Sequence, residues 1–177
     1  DLTETDAAQS TSGTLTVSDV DSPATFVVQS GVAGSNGYGR FSLDADGGWT
    51  YTMNSAHDEF VAGTLYTDSF TATSADGTSR LVTVTITGGN DPAVIGGTDT
   101  ADLTETDAAQ TTGGTLTVSD VDSPATFVVQ SGVAGSNGYG TFSLDAGGAW
   151  TYTMSGAHDE FVAGRTYTDS FTASTAD

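Results

Sequence analysis

Lysine and cysteine are both missing from this chain, and its 177 residues include only three arginines, three prolines and two histidines. Without cysteine neither a disulfide framework nor a thiolate zinc site can form, which leaves the compartment open. His57 and His158 are too isolated to suggest zinc. Arg40, Arg80 and Arg165 stand alone against 23 carboxylates, for a formal net charge of −20. Nucleic acid and anionic membrane would be repelled by such a surface, so neither is expected as a partner. No apolar run approaches the roughly 18 residues of a membrane span, and no leader pattern opens the chain. Low hydrophobicity with high charge can signal disorder, but aromatic and β-branched residues are too numerous and too regularly placed here.

What is present is a repeat. Asp1–Asp76 returns as Asp102–Asp177 at a constant offset of 101 residues, and 11 of the 76 pairs differ. A period near one hundred residues suits a small autonomous domain in tandem rather than a solenoid unit. The expected organisation is a first repeat over 1–91, a linker over 92–101 and an incomplete second repeat over 102–177. The sequence begins inside the pattern and ends within it, and so reads as a piece of a longer array.

Within one repeat, glycine and Asp-Gly punctuate short alternating runs, which predicts an all-β sandwich. Strands are expected around Leu2–Thr5, Gly13–Ser18, Ala24–Ser30, Arg40–Asp44, Trp49–Met53, Leu65–Thr73 and Arg80–Thr87. Asp44–Gly48 is a hairpin sequence, with Asp46 a turn residue that becomes Gly147 in the second copy. Ser55 with Asp58, closed by Gly63, suggests one short helical turn. The expected architecture is a tandem of seven-stranded immunoglobulin-like sandwiches, the second lacking its last strand. Asp68 breaks the alternation, because it lies in phase with Tyr66 and Phe70. Either a bulge turns it outward or it bonds locally at a strand end, and a metal-related role stays open.

Strand alternation sorts the acids into two groups. Loops after the second, fourth and sixth strands fall at one end, which carries Asp19, Asp21 and Asp76. The fifth loop and the exit fall at the other end, with Asp58, Glu59, Asn90 and Asp91. In a tandem array the exit of one unit leads to the entry end of the next, where Asp120, Asp122 and Asp177 lie. Asp159 and Glu160 repeat Asp58 and Glu59. Calcium requires six to eight oxygens at roughly 2.3–2.6 Å, and clustered Asp and Asn side chains supply that donor set. Bound calcium is therefore the sharper explanation of the acidity; dissolved salt is the plainer one.

The order of these motifs resembles the calcium-binding cadherin-type repeat. Asp19-Val-Asp21-Ser is similar to its Asp-x-Asp, His57-Asp58-Glu59 to its acidic element, Tyr66–Gly77 to its tyrosine-to-Asp-Gly run, and Gly89-Asn-Asp-Pro92 to its linker. Leu2-Thr-Glu4 resembles its early-strand glutamate, and by that resemblance Glu4 and Glu105 would join the metal ligands. GTLTVSDVDSPATF, DADGGWTYTM and VTVTITGGNDPAV look more closely like the VCBS repeat of large secreted RTX and biofilm-associated bacterial adhesins. The resemblance implies calcium-rigidified extender repeats at the bacterial cell surface, with neighbouring repeats as partners.

Three further readings accompany it. A glycan- or surface-binding module would use an aromatic such as Tyr38 in the glycine-rich loop Gly31–Gly39, or other adhesin chains as partners. A filament-forming subunit would receive its missing strand from a neighbouring chain. An enzyme would need a nucleophile with its base, or two carboxylates across a cleft; the Ser and Thr residues instead alternate as strand faces do, and no enzyme is expected.

Overall fold

The computed structural model describes all of Asp1–Asp177, and contacts divide it into two compact units, Asp1–Asp91 and Pro92–Asp177. No helix occurs in either.

The first unit contains β1 (Leu2–Thr3), β2 (Ser10–Thr14), β3 (Gln29–Ala33), β4 (Gly39–Leu43), β5 (Gly48–Met53), β6 (Leu65–Thr73) and β7 (Ser79–Thr87). One sheet has the order β2-β5-β4-β3 and the other β1-β7-β6. Alternation decides which side chains meet between them. Phe41 and Leu43 of β4, Tyr51 and Met53 of β5, Phe70 and Ala72 of β6, and Val82, Val84 and Ile86 of β7 are all buried. Phe41 lies 4.5 Å, centroid to centroid, from both Tyr51 and Phe70, which ties the two sheets together. β7 occupies the centre of its sheet, antiparallel to β6 and parallel to β1. The chain is thus an all-β, immunoglobulin-like sandwich in this unit.

The second unit contains β8 (Val94–Gly97), β9 (Thr111–Ser119), β10 (Gln130–Ala134), β11 (Gly140–Leu144) and β12 (Ala149–Met154), in one sheet of order β10-β11-β12-β9-β8. β8 lies within the stretch 92–101 read from the sequence as a linker. It pairs antiparallel with β9, Val94 opposite Ser119 and Gly97 opposite Leu116. The Trp150 indole N–H donates to the carbonyl of Thr98 at 2.7 Å, fixing the segment that follows β8.

Several sequence expectations need correction. The third strand is Gln29–Ala33 rather than Ala24–Ser30; Phe26 makes only an isolated bridge to Ser74, while its ring enters the core. The second strand stops at Thr14 in the first unit yet runs to Ser119 in the second. The difference is the ladder: Leu116–Ser119 have β8 to pair with, and Leu15–Ser18 have no such partner. The helical turn at Ser55–Gly63 is a series of tight turns, because His57 adopts a left-handed φ of 64° that no right-handed helix accepts.

Asp68 also departs from both readings offered for it. It sits within the regular β6–β7 register opposite Val84, neither on a bulge nor at a strand end, and it is 0 % exposed. Its carboxylate accepts hydrogen bonds from the backbone N–H of Asn36 (2.9 Å) and Gly39 (3.1 Å) and from the Tyr51 hydroxyl (3.2 Å). A Cβ on Gly34 would lie 2.0 Å from this carboxylate, so the glycine makes room for it. Asp169 repeats the arrangement with Asn137, Tyr139, Gly140 and Tyr152. The glycine-rich loop is therefore folded around a buried anion. Tyr38 in that loop packs inward, its ring edge-on to Phe60 at 4.9 Å.

Candidate metal centre

The exit end of the first unit collects carboxylates. Glu4 follows the short strand β1, Asp58 lies in the turns between β5 and β6, and Asp91 lies just past β7. One carboxylate oxygen from each falls within 4.8 Å of the other two. Glu4 N–H donates to the Thr87 carbonyl, which continues the β1–β7 pairing and directs the side chain toward Gly88–Asp91. The Gly89 N–H then donates to Glu4 Oε2 at 2.9 Å. A side chain at Gly89 would collide with that oxygen, since its Cβ would lie 2.7 Å away.

Glu4 is 4 % exposed, and its second oxygen, Oε1, is shielded from water with no hydrogen-bond partner. Burial pushes the Glu4 carboxyl above its ordinary pKa; the Gly89 N–H opposes this, and the charges of Asp91, Asp58 and Asp6 reinforce it. Neither Glu4 nor Asp58 takes part in an ion pair within the chain. The ion pairs present are His57–Glu59 and His158–Glu160, each at 2.8 Å. A buried carboxylate beside two others, without Lys or Arg, is the environment a hard divalent ion stabilises. The donor set therefore fits calcium.

Glu59 and Asn90 are placed differently from their neighbours. Glu59 Oε1 is held by His57 Nδ1, which lowers the Glu59 pKa, and His57 Nε2 meets the Tyr38 carbonyl at 2.9 Å. The His57 ring stacks on Phe60, and Phe60 on Tyr66, so Glu59 serves a turn built on aromatic packing. The Asn90 amide makes a long 3.5 Å contact with the Asp91 carbonyl.

Asp19, Asp21 and Asp76 lie at the opposite end of the first unit. The β6–β7 hairpin turns at Asp76, while its other end leads to Gly88. Asp19 accepts from the N–H of Asp21 (3.0 Å) and of Ser22 (2.9 Å), and these bonds lower its pKa. Asp76 is held by the Ser74 hydroxyl and by the N–H and hydroxyl of Thr78, which lower its pKa likewise. These are Asx-type turns, and at Asp76 both carboxylate oxygens are engaged within the turn.

In the second unit Glu105, Asp107 and Asp159 bring their oxygens within 4.8 Å, all three exposed. Glu160 is bound to His158, raising the histidine pKa and lowering the glutamate pKa. Asp120 repeats the turn of Asp19, accepting from Asp122 N–H at 3.1 Å and Ser123 N–H at 2.8 Å. Its Oδ2 and both oxygens of Asp122, which is 7 % exposed, are shielded without hydrogen-bond partners. Asp177 accepts from the Ala93 N–H at 3.3 Å.

Sequence reasoning passed over Asp6 and Asp107. The signal was available: Glu4-x-Asp6 and Glu105-x-Asp107 place two acids two residues apart, the spacing noted at Asp19-x-Asp21.

Comparison with curated proteins finds no match to the chain. Residues 1–88 match the model of the bacterial cadherin-like domain. That span covers β1 to β7, Glu4 and Asp58, and the second unit repeats most of it, with 65 of 76 positions identical. The chain belongs to the bacterial cadherin-like family.

Proposed function

We propose that this chain is a calcium-rigidified extender segment of a large, secreted bacterial surface adhesin, contributing to adhesion and biofilm formation. The observation that carries the reading is Glu4, a buried carboxylate with one unpartnered oxygen, set against Asp58 and Asp91 where the first repeat ends. Cadherin-like domains commonly bind calcium and are typically structural rather than enzymatic modules.

Glu4, Asp58 and Asp91 would hold the ion in the first repeat, with Asp6 adding negative charge nearby. Bound calcium supplies the positive charge that the sequence lacks. Glu4 fixes Gly89 through its backbone N–H, so stabilising the Glu4 carboxylate also stabilises the start of the connection between repeats. Without a cation the like charges repel and the segment Gly88–Ala93, ahead of β8, gains freedom.

The test is thermal unfolding and limited proteolysis of the whole chain in calcium and in chelator. Calcium at a hundredfold excess over its dissociation constant adds about 2.7 kcal/mol to the form that binds it. A higher melting temperature and slower cleavage within 88–93 are expected. Superimposable melts and equal cleavage would sink the proposal.

A further inference from the structure

Two residues other than glycine adopt a left-handed backbone, His57 at a φ of 64° and His158 at 58°. Each directly precedes an acid of a carboxylate cluster: Asp58 meets Glu4 and Asp91, and Asp159 meets Glu105 and Asp107. Every other left-handed position in the chain is a glycine, the residue that takes this conformation without steric cost. Glycine would have sufficed for the turn alone, so the histidine side chain does something more. Its contacts are the same in both units. His57 is buried, with Nε2 at 2.9 Å from the Tyr38 carbonyl and Nδ1 at 2.8 Å from Glu59 Oε1, and its ring lies flat on Phe60 at 4.7 Å between centroids. His158 repeats these contacts with Tyr139, Glu160 and Phe161.

We propose, on the calcium reading given above, that His57 is a positioning residue of the metal centre: it aims Asp58 at Glu4 and Asp91 and holds the adjacent Glu59 away from the ion. The Tyr38 carbonyl that meets His57 also accepts from the Asn54 N–H at 3.0 Å, so the ring ties the start of the turn to the glycine-rich loop and to the end of β5. Six residues on, the turn is tied again. The Gly63 N–H donates to the Gly88 carbonyl and the Gly88 N–H to the Thr64 carbonyl, each at 2.9 Å. Asp58 therefore stands on a backbone fixed before it by the histidine and after it by the segment that leads to Asp91. Turning residue 57 to an ordinary negative φ would redirect both acids that follow, and the anchored ring opposes this. Groups that orient a metal ligand without touching the ion commonly alter affinity by roughly ten- to hundredfold.

The experiment titrates calcium into the full chain and follows amide exchange at Gly89, whose N–H is bound by Glu4. The parent is compared with His57→Gly, which keeps the left-handed backbone and removes every anchor, and with His57→Asn, which tolerates that backbone and keeps a short polar side chain. His57→Gly should stay folded in chelator yet need at least about tenfold more calcium for half-protection of Gly89. His57→Asn should fall between it and the parent. An equal calcium requirement in the parent and His57→Gly would overturn this proposal alone. A parent whose Gly89 amide ignores calcium would overturn it together with the calcium reading. Loss of the fold by both variants in chelator would overturn it as well, because the histidine would then hold the repeat rather than aim its ligand.

Discussion

Two buried acids in the first repeat behave differently because their partners differ. Asp68 faces N–H and O–H donors that its own fold supplies, so its charge is balanced locally. Replacing it by alanine strands those donors in the interior and should cost the first repeat about 3 kcal/mol, measurable by denaturant unfolding. Glu4 has one donor and several like charges, so the fold stabilises its neutral form instead. A raised folded pKa means that this contribution to stability is fully present below the ordinary glutamate value. It is lost as pH rises through the raised value. In chelator, Glu4→Gln should therefore melt above the parent chain near neutral pH, and the gap should close as pH falls below 4.5. The same variant should lose most of its response to calcium. A parent chain that gains on Glu4→Gln as pH rises would contradict this account.

At the level of elements, β7 is the strand on which the first repeat depends. It joins β1 to β6 and buries Ile86 completely. Truncating Ile86 to alanine should cost about 3 kcal/mol by cavity formation. The second unit shows what its absence does to neighbouring segments of nearly the same sequence. Residues 65–73 form a nine-residue strand, whereas 166–174, differing at two of nine positions, form none. Amide exchange should therefore be slow over 65–73 and fast over 166–174, a contrast that local propensity alone would not produce. β8 makes the complementary case, because its pairing extends β9 to Ser119 while β2 stops at Thr14.

Across the whole molecule, the two repeats differ in strand content more than in sequence. The first closes both sheets around its core; the second leaves Tyr167, Phe171 and Leu103 on an open groove. Calorimetry in chelator should show one transition for each of the two compact units. The net charge of −20 acts on both units together, and added salt should raise both transitions modestly by screening.

The sequence by itself determined the all-β class, the repeat, the ends at which acids gather and the scarcity of cations, three arginines against 23 carboxylates. Those follow from period-two alternation, turn residues and composition, which are local quantities. Tertiary structure decided which acids meet. Glu4, Asp58 and Asp91 converge because β1 pairs with β7 across more than eighty residues of chain, whereas Glu59, adjacent to Asp58, is drawn away by a histidine in a left-handed conformation. Alternation put Asp68 in phase with the core, yet an outward bulge or a strand end was expected of it, because the loop donors that make its burial tolerable come from residues about thirty positions away. Hydrogen-bond partners at that separation leave no period in the sequence, and only the folded chain reveals them.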